Sequence, residues 1–297
     1  MNILIIGAKG FIGSHAVTYF SKHHKVWQCD VVTDYVASNY INVDATNADY
    51  TDIFNKYKFD VCINCSGAAS VPDSLKNPQR DFMLNVANVF KQLDAIRKYQ
   101  PKCKYINMSS AAVYGNPVYL PIDENHPLNP ISPYGVHKKL AEDICKSFFD
   151  NYQIPTCSIR IFSAYGKGLK KQLFWDLHKK AKNNNTVSLF GTGNESRDFI
   201  HVAALIDAIN LIIGKETFAN SIINVANGIE LTIKNVSELF YSIYKPEVNI
   251  KFEGQERLGD PSNWVADISK LKALGFKENV SIKHGLKLYA EWLKENV

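Results

Sequence analysis

The sequence predicts an α/β fold built on a doubly wound parallel sheet, with a smaller and less regular part in the C-terminal half. In the first half of the 297-residue chain, short apolar runs alternate with amphipathic stretches. A glycine-rich loop at 7–13 joins the first apolar run to the first amphipathic stretch. After residue 165 this alternation becomes irregular. The regular alternation in the first half is typical of parallel strands whose connecting helices cover both faces of the sheet.

The elements of the first half are defined by these apolar and amphipathic runs. Strands are predicted at 2–6, 25–30, 60–64, 103–108 and 156–162, and helices at 11–22, 78–99 and 132–151. The second half predicts a helix near 170–183, a strand near 187–190, a polar loop, a helix near 201–213 and a strand at 222–225. From about residue 231 helices dominate, with one strand near 248–252.

The composition is that of a globular protein, 46% apolar with a net charge of +5. Lysines are spread along the chain, which suits an anionic small-molecule ligand and argues against nucleic acid as a partner. The first apolar run is too short for a signal peptide, and no run approaches the roughly 20 residues of a membrane span. We therefore expect a cytoplasmic protein that does not bind membranes.

The chain contains six cysteines, of which Cys62 and Cys65 form a C-x-x-C pair. Such a pair can indicate a redox or zinc site. No second cysteine pair or nearby histidine completes a metal-binding set. We expect reduced cysteines that pack in the interior, and no metal site.

The loop Gly7-Ala8-Lys9-Gly10-Phe11-Ile12-Gly13 lies between the first predicted strand and the first predicted helix. In this context glycines permit a tight turn, close approach of the backbone to a pyrophosphate, and close helix–sheet packing. The helix N-terminus then faces the phosphates. The G-x-x-G-x-x-G spacing differs from the G-x-G-x-x-G of standard dehydrogenases. The loop nevertheless predicts a dinucleotide site.

The residues around this loop bear on which dinucleotide is bound. Asp30 ends the second predicted strand, where an acid accepts the ribose hydroxyls of NAD and repels the additional phosphate of NADP. Lys9 has the opposite influence, because a cation in the loop can pair with that phosphate. The sequence favours NAD and leaves NADP as the alternative.

A candidate catalytic pair lies at the start of the helix predicted at 132–151. Tyr134 and Lys138 have the spacing that puts both side chains on one helix face. A nearby ammonium lowers the pKa of a tyrosine and makes it usable as an acid/base. About one or two chance matches are expected from composition, and Tyr241 and Lys245 form a second. Tyr134 is favoured by its position after a proline-rich loop and the strand that leads to Ser110.

Together these motifs resemble the extended short-chain dehydrogenase/reductases, which have a Rossmann-like fold. The resemblance is to the nucleotide-sugar epimerase/dehydratase branch, typified by UDP-galactose 4-epimerase. It covers essentially the whole chain. It is carried by the ordered occurrence of the glycine loop, Asp30, the segments 109–115 and 160–166, and Tyr134 with Lys138.

The resemblance implies roles for individual residues. Ser110 would be the catalytic hydroxyl, Tyr134 the base and Lys138 its partner. The cofactor would be bound by Gly7, Gly10, Phe11, Ile12, Gly13, Asp30, Asp44, Gly67, Ala68, Ala69, Asn85, Tyr134 and Lys138. The substrate, a nucleoside-diphosphate sugar, would be bound by Ser163, Phe190, Arg197, Arg257 and Asp260. Arginine suits a diphosphate because its planar guanidinium donates two parallel hydrogen bonds.

The resemblance also implies an organisation into two domains. An NAD-binding domain would comprise 1–165 plus about 198–228, and a nucleotide-sugar-binding domain about 166–197 plus 229–297. A homodimer would form through the helices near 80–99 and 132–151.

Ala112 narrows the set of reactions that the resemblance allows. Dehydratases of this family carry an acid at this position to protonate the leaving hydroxyl, and the 3,5-epimerase/reductases carry a cysteine there. What remains is NAD-dependent 4-epimerisation, with NAD(P)H-dependent reduction of a 4-keto-6-deoxy sugar as the alternative. A non-catalytic dinucleotide-binding regulator is an alternative of another class. Ser163, Ala203 and Ala69 depart from residues common in the family, and they leave the sugar and the nucleotide open.

Overall fold

The computed structural model describes residues 1–44, 48–254 and 262–297. In chain order the strands are β1 (Asn2–Ile6), β2 (Lys25–Asp30), β3 (Tyr40–Asn42), β4 (Val61–Asn64), β5 (Lys104–Ser110), β6 (Thr156–Ile161), β7 (Ser163–Tyr165), β8 (Thr186–Leu189), β9 (Ser196–His201), β10 (Ala219–Val225), β11 (Glu230–Thr232) and β12 (Asn249–Phe252).

The helices surround these strands. They are α1 (Phe11–Phe20), α2 (Thr51–Lys56), α3 (Val71–Lys76), α4 (Pro78–Phe82), α5 (Asn88–Tyr99), α6 (Pro133–Tyr152), α7 (Gln172–Ala181), α8 (Val202–Lys215), α9 (Ile233–Tyr244), α10 (Ser269–Ala273) and α11 (Ile282–Asn296). A π-helical turn, Met83–Ala87, joins α4 to α5. The predicted helix at 78–99 is therefore present but widened by this turn.

Seven strands form one parallel sheet in the order β10-β6-β5-β4-β1-β2-β3. The predicted fold class is confirmed. The chain runs outward from β1 to β3 and then returns to place β4 on the other side of β1. At such a reversal a crevice opens beyond the carboxyl ends of the two strands, and open α/β sheets bind their ligands there.

Two hydrophobic clusters cover the two faces of the sheet, as alternation along β1 requires. Ile3 and Ile5 belong to the cluster beneath α1 and α8, whereas Leu4 and Ile6 belong to the one beneath α5 and α6. The polypeptide thus buries both faces of its central strands, which explains their continuous apolar runs.

A third hydrophobic cluster is formed by Tyr165, α7, α9 and α11. It is accompanied by two small sheets, β11-β9-β7 and β12-β8. Ile268 and Leu271, near the start of and within α10, belong instead to the cluster that covers α1 and α8. The division into a cofactor domain and a substrate domain stays a prediction.

Several elements differ from the prediction. The sequence analysis missed β3, α2, α3 and β7, which are three to six residues long and therefore too short for their hydrophobic period to repeat. It also assigned the segment before His201 to a polar loop, whereas β9 is a strand. Ser196 and Asp198 are buried there but hydrogen-bonded, so their polarity conceals the strand.

Two expectations from the sequence concern the state of the cysteines and the presence of membrane-spanning helices. All six cysteines are free in the structure. Burial raises the pKa of the Cys65 thiol to about 12. Within 1–44, 48–254 and 262–297, no helix has the length and apolar character that crossing a membrane requires.

Candidate active site

The glycine loop has the geometry of a phosphate cradle. Gly7 adopts a φ of +80°, and a Cβ there would lie 2.7 Å from the backbone carbon of Cys65, at the end of β4. A Cβ on Gly13 would lie 2.0 Å from the carbonyl oxygen of Gly7. In the described structure no side chain caps α1 at Gly10. The first amide groups of α1 therefore stay available to an anion.

Asp30 lies beside this loop and is buried. Its Oδ2 accepts a hydrogen bond of 2.7 Å from the amide of Lys9, and its Oδ1 accepts one of 2.7 Å from the amide of Val31. Asp44 follows Val43, whose amide donates to the carbonyl oxygen of Asp30 at 3.0 Å. The acids predicted to contact the cofactor therefore lie at the carboxyl ends of β2 and β3.

Tyr134 and Ser110 are brought together by α6 and β5. Ser132 caps α6, its Oγ accepting from the amide of Gly135 at 3.2 Å, and this places Tyr134 in the first turn. The Tyr134 amide donates to Ser74 Oγ at 3.1 Å, which holds the turn against α3. Burial raises the pKa of Tyr134 to about 12, and a hydrogen bond with the Ser110 side chain opposes that rise.

Lys138 lies one turn further along α6 and is only 6% exposed. Its Nζ donates to the carbonyl oxygen of Met108 at 2.8 Å and lies 5.8 Å from the centre of the Tyr134 ring. Burial lowers the pKa of Lys138 to about 8, while the negative charges of Asp81 and Glu142 act in the opposite direction. The lysine can therefore change its protonation state near neutral pH.

Asn85 lies on the π-helical turn, opposite the small residues that follow β4. A Cβ on Gly67, whose φ is +120°, would lie 2.4 Å from Asn85 Oδ1 and 3.7 Å from Lys138 Nζ. The buried Asn85 Oδ1 has no hydrogen-bond partner among the described residues, while its Nδ2 donates to Asp81 Oδ1 at 3.1 Å. Such an unsatisfied acceptor suits a ribose hydroxyl of a dinucleotide.

One cleft connects these groups. A cavity of about 600 Å³ extends from the glycine loop, past Tyr134 and Lys138, to the second half of the chain. Its lining includes the predicted residues Gly10, Phe11, Ile12, Gly67, Ala68, Ala69, Ser110, Tyr134, Lys138, Ser163, Phe190 and Arg197. Gly7, Gly13 and Asn85 lie against these lining segments or against one another, and Asp30 contacts the glycine loop at Lys9. Arg257 and Asp260 lie outside the described residues.

Two predicted substrate residues lie at the far end of the cleft. The Arg197 side chain, on β9, donates from Nη1 to the carbonyl oxygen of Ser196 at 2.7 Å. Its guanidinium carbon lies 5.5 Å from the centre of the Trp264 ring. Phe190 is 56% exposed, with Lys180 Nζ 5.7 Å from its ring centre. So exposed a ring contributes little to the core and is open to stacking.

Arg160, in contrast, is part of the buried scaffold. It is 3% exposed, its Nη2 donates to Glu142 Oε2 at 2.7 Å and its Nη1 donates to the Tyr114 hydroxyl at 2.9 Å. Ser109 also donates to Glu142. The segments 109–115 and 160–166 are thus joined by a buried ionic network that holds β5, β6 and α6 in register below Ser110.

Several residues that line the cleft were not predicted from the sequence, among them Lys171, Gln172 and Trp264. Lys171, whose pKa is lowered by burial, immediately precedes α7, and Gln172, with a φ of +66°, is the first residue of that helix. Trp264 donates from Nε1 to the carbonyl oxygen of Gly115 at 3.1 Å. These residues lie outside any motif with a fixed spacing, so a single sequence offers no signal for them.

The fold and the site define a short-chain dehydrogenase-type enzyme, with a glycine loop, an acid after β2, and a serine, tyrosine and lysine in one cleft. The chain belongs to the NAD dependent epimerase/dehydratase family, which matches residues 3–226. The predicted family is confirmed, and NAD, the predicted cofactor, is the cofactor of this family.

Individual relatives support the same assignment. The chain is 32% identical to a putative UDP-glucose 4-epimerase of Methanocaldococcus jannaschii, over 99% of both chains. A structure of UDP-N-acetylglucosamine 4-epimerase from Methanobrevibacter ruminantium, with UDP-N-acetylmuramic acid, is 28% identical with a TM-score of 0.90, covering 100% of this chain and 99% of the other. A structure of UDP-glucuronic acid 4-epimerase from Bacillus cereus, with UDP-glucuronic acid and NAD, is 25% identical with a TM-score of 0.91, covering 100% of both chains.

Proposed function

We propose that this protein is an NAD-dependent 4-epimerase of a nucleoside-diphosphate sugar. The observation that carries the proposal is the placement of Ser110, Tyr134 and Lys138 in the same cleft as the glycine loop and Arg197. The cleft thus joins an acid/base group, a dinucleotide cradle and an arginine at the opposite end. The three relatives described above, each matched over at least 99% of this chain, are 4-epimerases by name.

The residues at the carboxyl ends of β1 and β2 fit NAD. Gly7, Gly10 and Gly13 would admit the pyrophosphate, Asp30 the adenosine ribose, and the unsatisfied Asn85 Oδ1 the nicotinamide ribose. Bound NAD supplies a hydride acceptor that later returns the hydride, so no cofactor is consumed. Gly67 leaves space beside Asn85 that any larger residue would fill.

Tyr134 would move the proton of the sugar 4-hydroxyl. Burial and the charge of Asp81 oppose formation of its phenolate, and a hydrogen bond with the Ser110 hydroxyl favours it. The Lys138 ammonium, 5.8 Å from the ring centre, would favour it further by its charge. Ser110 also lies where it can hold the substrate oxygen. Tyr134 takes the proton as the 4-keto sugar forms and returns it to the 4-oxygen after the ring has turned over.

The acids in the cleft argue against an elimination. Ala112 lines the cleft next to Ser110, where a dehydratase needs an acid. Among the described lining residues, the carboxylates are Asp176 and Glu195, and both lie at the Phe190 end. They are therefore badly placed to protonate a leaving hydroxyl next to Tyr134.

For the substrate we propose a nucleoside-diphosphate hexose, with UDP favoured by the relatives. Arg197 and Ser163 would contact the diphosphate, and the exposed ring of Phe190 would stack on the base. Arg257 and Asp260 keep their proposed roles at phosphate and ribose, on the resemblance alone. The sugar itself is left open.

We also propose a homodimer and a cytoplasmic location. Phe90 on α5, and Val136 and Leu140 on α6, are 52%, 40% and 37% exposed, and two adjacent helices that present such side chains suit burial against a second copy. The free cysteines fit a reducing compartment. Cell fractionation would test the location.

The function is tested by incubating the purified enzyme with a panel of nucleotide sugars, without added cofactor. We expect C4 epimers to interconvert, and denatured enzyme to release NAD. Tyr134→Phe should lower turnover by about 10²- to 10⁴-fold while NAD content is retained. The matched control is Tyr241→Phe in the second Tyr-x-x-x-Lys, whose hydroxyl donates to the Leu177 carbonyl oxygen at 2.9 Å. It should keep its activity.

Two outcomes would contradict the proposal. Turnover of 4-keto sugars alone, and only with added NAD(P)H, would make the protein a reductase. Equal turnover by wild type and Tyr134→Phe on every accepted sugar would remove the tyrosine from the chemistry.

A further inference from the structure

Lys9 is the one feature of the glycine loop that favours NADP, since its cation lies close to the acid predicted to meet the adenosine ribose. Its amide donates to Asp30 Oδ2 at 2.7 Å, which fixes the residue at the ribose end of the loop. A free ammonium at this place would attract a 2′-phosphate.

The structure shows where that ammonium goes. Lys9 Nζ forms an ion pair with Asp34 Oδ2, in the loop that follows β2. Nζ also lies 5.1 Å from the centre of the Tyr40 ring, and the Tyr40 hydroxyl donates to the carbonyl oxygen of Val32. The Lys9 side chain is thus engaged by the loop 31–39 and by Tyr40 at the start of β3, rather than extended over the ribose position.

Asp34 is held in place independently of Lys9. Its Oδ1 accepts hydrogen bonds from the amides of Val36 at 2.8 Å and Ala37 at 3.1 Å, which leaves Oδ2 directed at the lysine. These contacts, with the Lys9 hydrogen bond the largest, lower the pKa of Asp34 to about 2. The carboxylate is therefore ionised at neutral pH.

We propose that Asp34 is a specificity-determining residue that selects NAD over NADP by occupying Lys9. The inference rests on the proposed cofactor site and extends it. With Asp34 present, Asp30, Asp34 and Lys9 together carry a net charge of about −1, which repels a 2′-phosphate. Without the Asp34 charge the cluster is neutral and Lys9 is released toward that phosphate.

The test measures binding of NAD⁺ and of NADP⁺ to cofactor-free protein by calorimetry, in wild type, Asp34→Asn, Lys9→Met and the double variant. Asparagine keeps an oxygen for the amides of Val36 and Ala37, so the loop is preserved. We expect Asp34→Asn to tighten NADP⁺ binding at least about tenfold relative to NAD⁺, a change that added salt weakens. The double variant should lose this gain, because the released cation is gone.

Asp143→Asn is the control for net charge. Asp143 forms an exposed ion pair with Lys139 on α6, far from the loop, and its loss should leave the NAD⁺/NADP⁺ ratio unchanged. The proposal fails if wild type binds NADP⁺ as tightly as NAD⁺, if Asp34→Asn keeps the wild-type ratio, or if the gain persists without Lys9. Since the readout is binding, a protein that prefers NAD⁺ but epimerises no sugar would contradict only the proposed function.

Discussion

Lys138 lines the cleft next to Tyr134, where burial disfavours its charged form. Its ammonium is almost fully buried, with the Met108 carbonyl oxygen as a hydrogen-bond partner, and burial holds its pKa near 8. The unfolded chain has an ordinary lysine pKa near 10.4 and therefore binds more protons between these values. Stability is reduced below pH 8 and recovers as the pH rises toward 10.

We predict that Lys138→Met is more stable relative to wild type at pH 7 than at pH 10, by about 2–3 kcal/mol in the free energy of unfolding. The measurement is urea unfolding of cofactor-free protein at both values. Lys139→Met removes an exposed, ion-paired lysine from the next position and should show no such pH dependence. A stability difference that stays constant with pH would mean that Lys138 is not destabilised by burial.

At the scale of elements, the glycine loop shows how closely β1, β4 and α1 must approach. Gly13 leaves no room for a Cβ, which would lie 2.0 Å from the Gly7 carbonyl oxygen. We predict that Gly13→Ala separates α1 from β1 and abolishes NAD retention, with a loss of about 2 kcal/mol or more in stability. Melting temperature and the NAD content of the purified protein measure both effects.

Gly214 supplies the matched control. It lies in the last turn of α8, and a Cβ there meets nothing within 4 Å. Gly214→Ala should retain NAD and gain about 0.5–1 kcal/mol, because alanine has the higher helix propensity. NAD retention by Gly13→Ala at the wild-type level would show that the loop does not need this close contact.

At the scale of the whole molecule, α5 and α6 leave an apolar face that the monomer does not cover. Phe90 packs edge-on against Phe148, with ring centres 5.3 Å apart, yet remains 52% exposed. We predict that the protein sediments as a dimer and that Phe90→Glu converts it to a monomer, because a charge would be buried at the interface. Val118→Glu, at a 67% exposed loop position, should remain dimeric. A monomeric wild type would contradict the prediction.

The sequence alone predicted the parallel sheet, the glycine loop, Asp30 at the end of β2 and the Tyr134–Lys138 pair on one helix. These features depend on local rules: apolar strands that are buried on both faces, glycines required by close contact, and a four-residue helical spacing. The choice of Tyr134 over Tyr241 also came from the chain, since position after a strand and a loop distinguishes the two. The segments 109–115 and 160–166 could be recognised as family motifs, but the sequence did not show which contacts they make.

The contacts that these residues make with one another could be identified only in the folded structure. It showed that Arg160 holds the scaffold through Glu142, that Asn85 Oδ1 faces Gly67 without a partner among the described residues, and that Lys9 pairs with Asp34. It also placed Lys171, Gln172 and Trp264 in the cleft. Each of these facts depends on contacts between segments distant in the chain, or on whether a charge is buried or paired. Long-range contacts and the burial or pairing of a charge are not encoded in a local residue spacing, so they could not be predicted from the sequence.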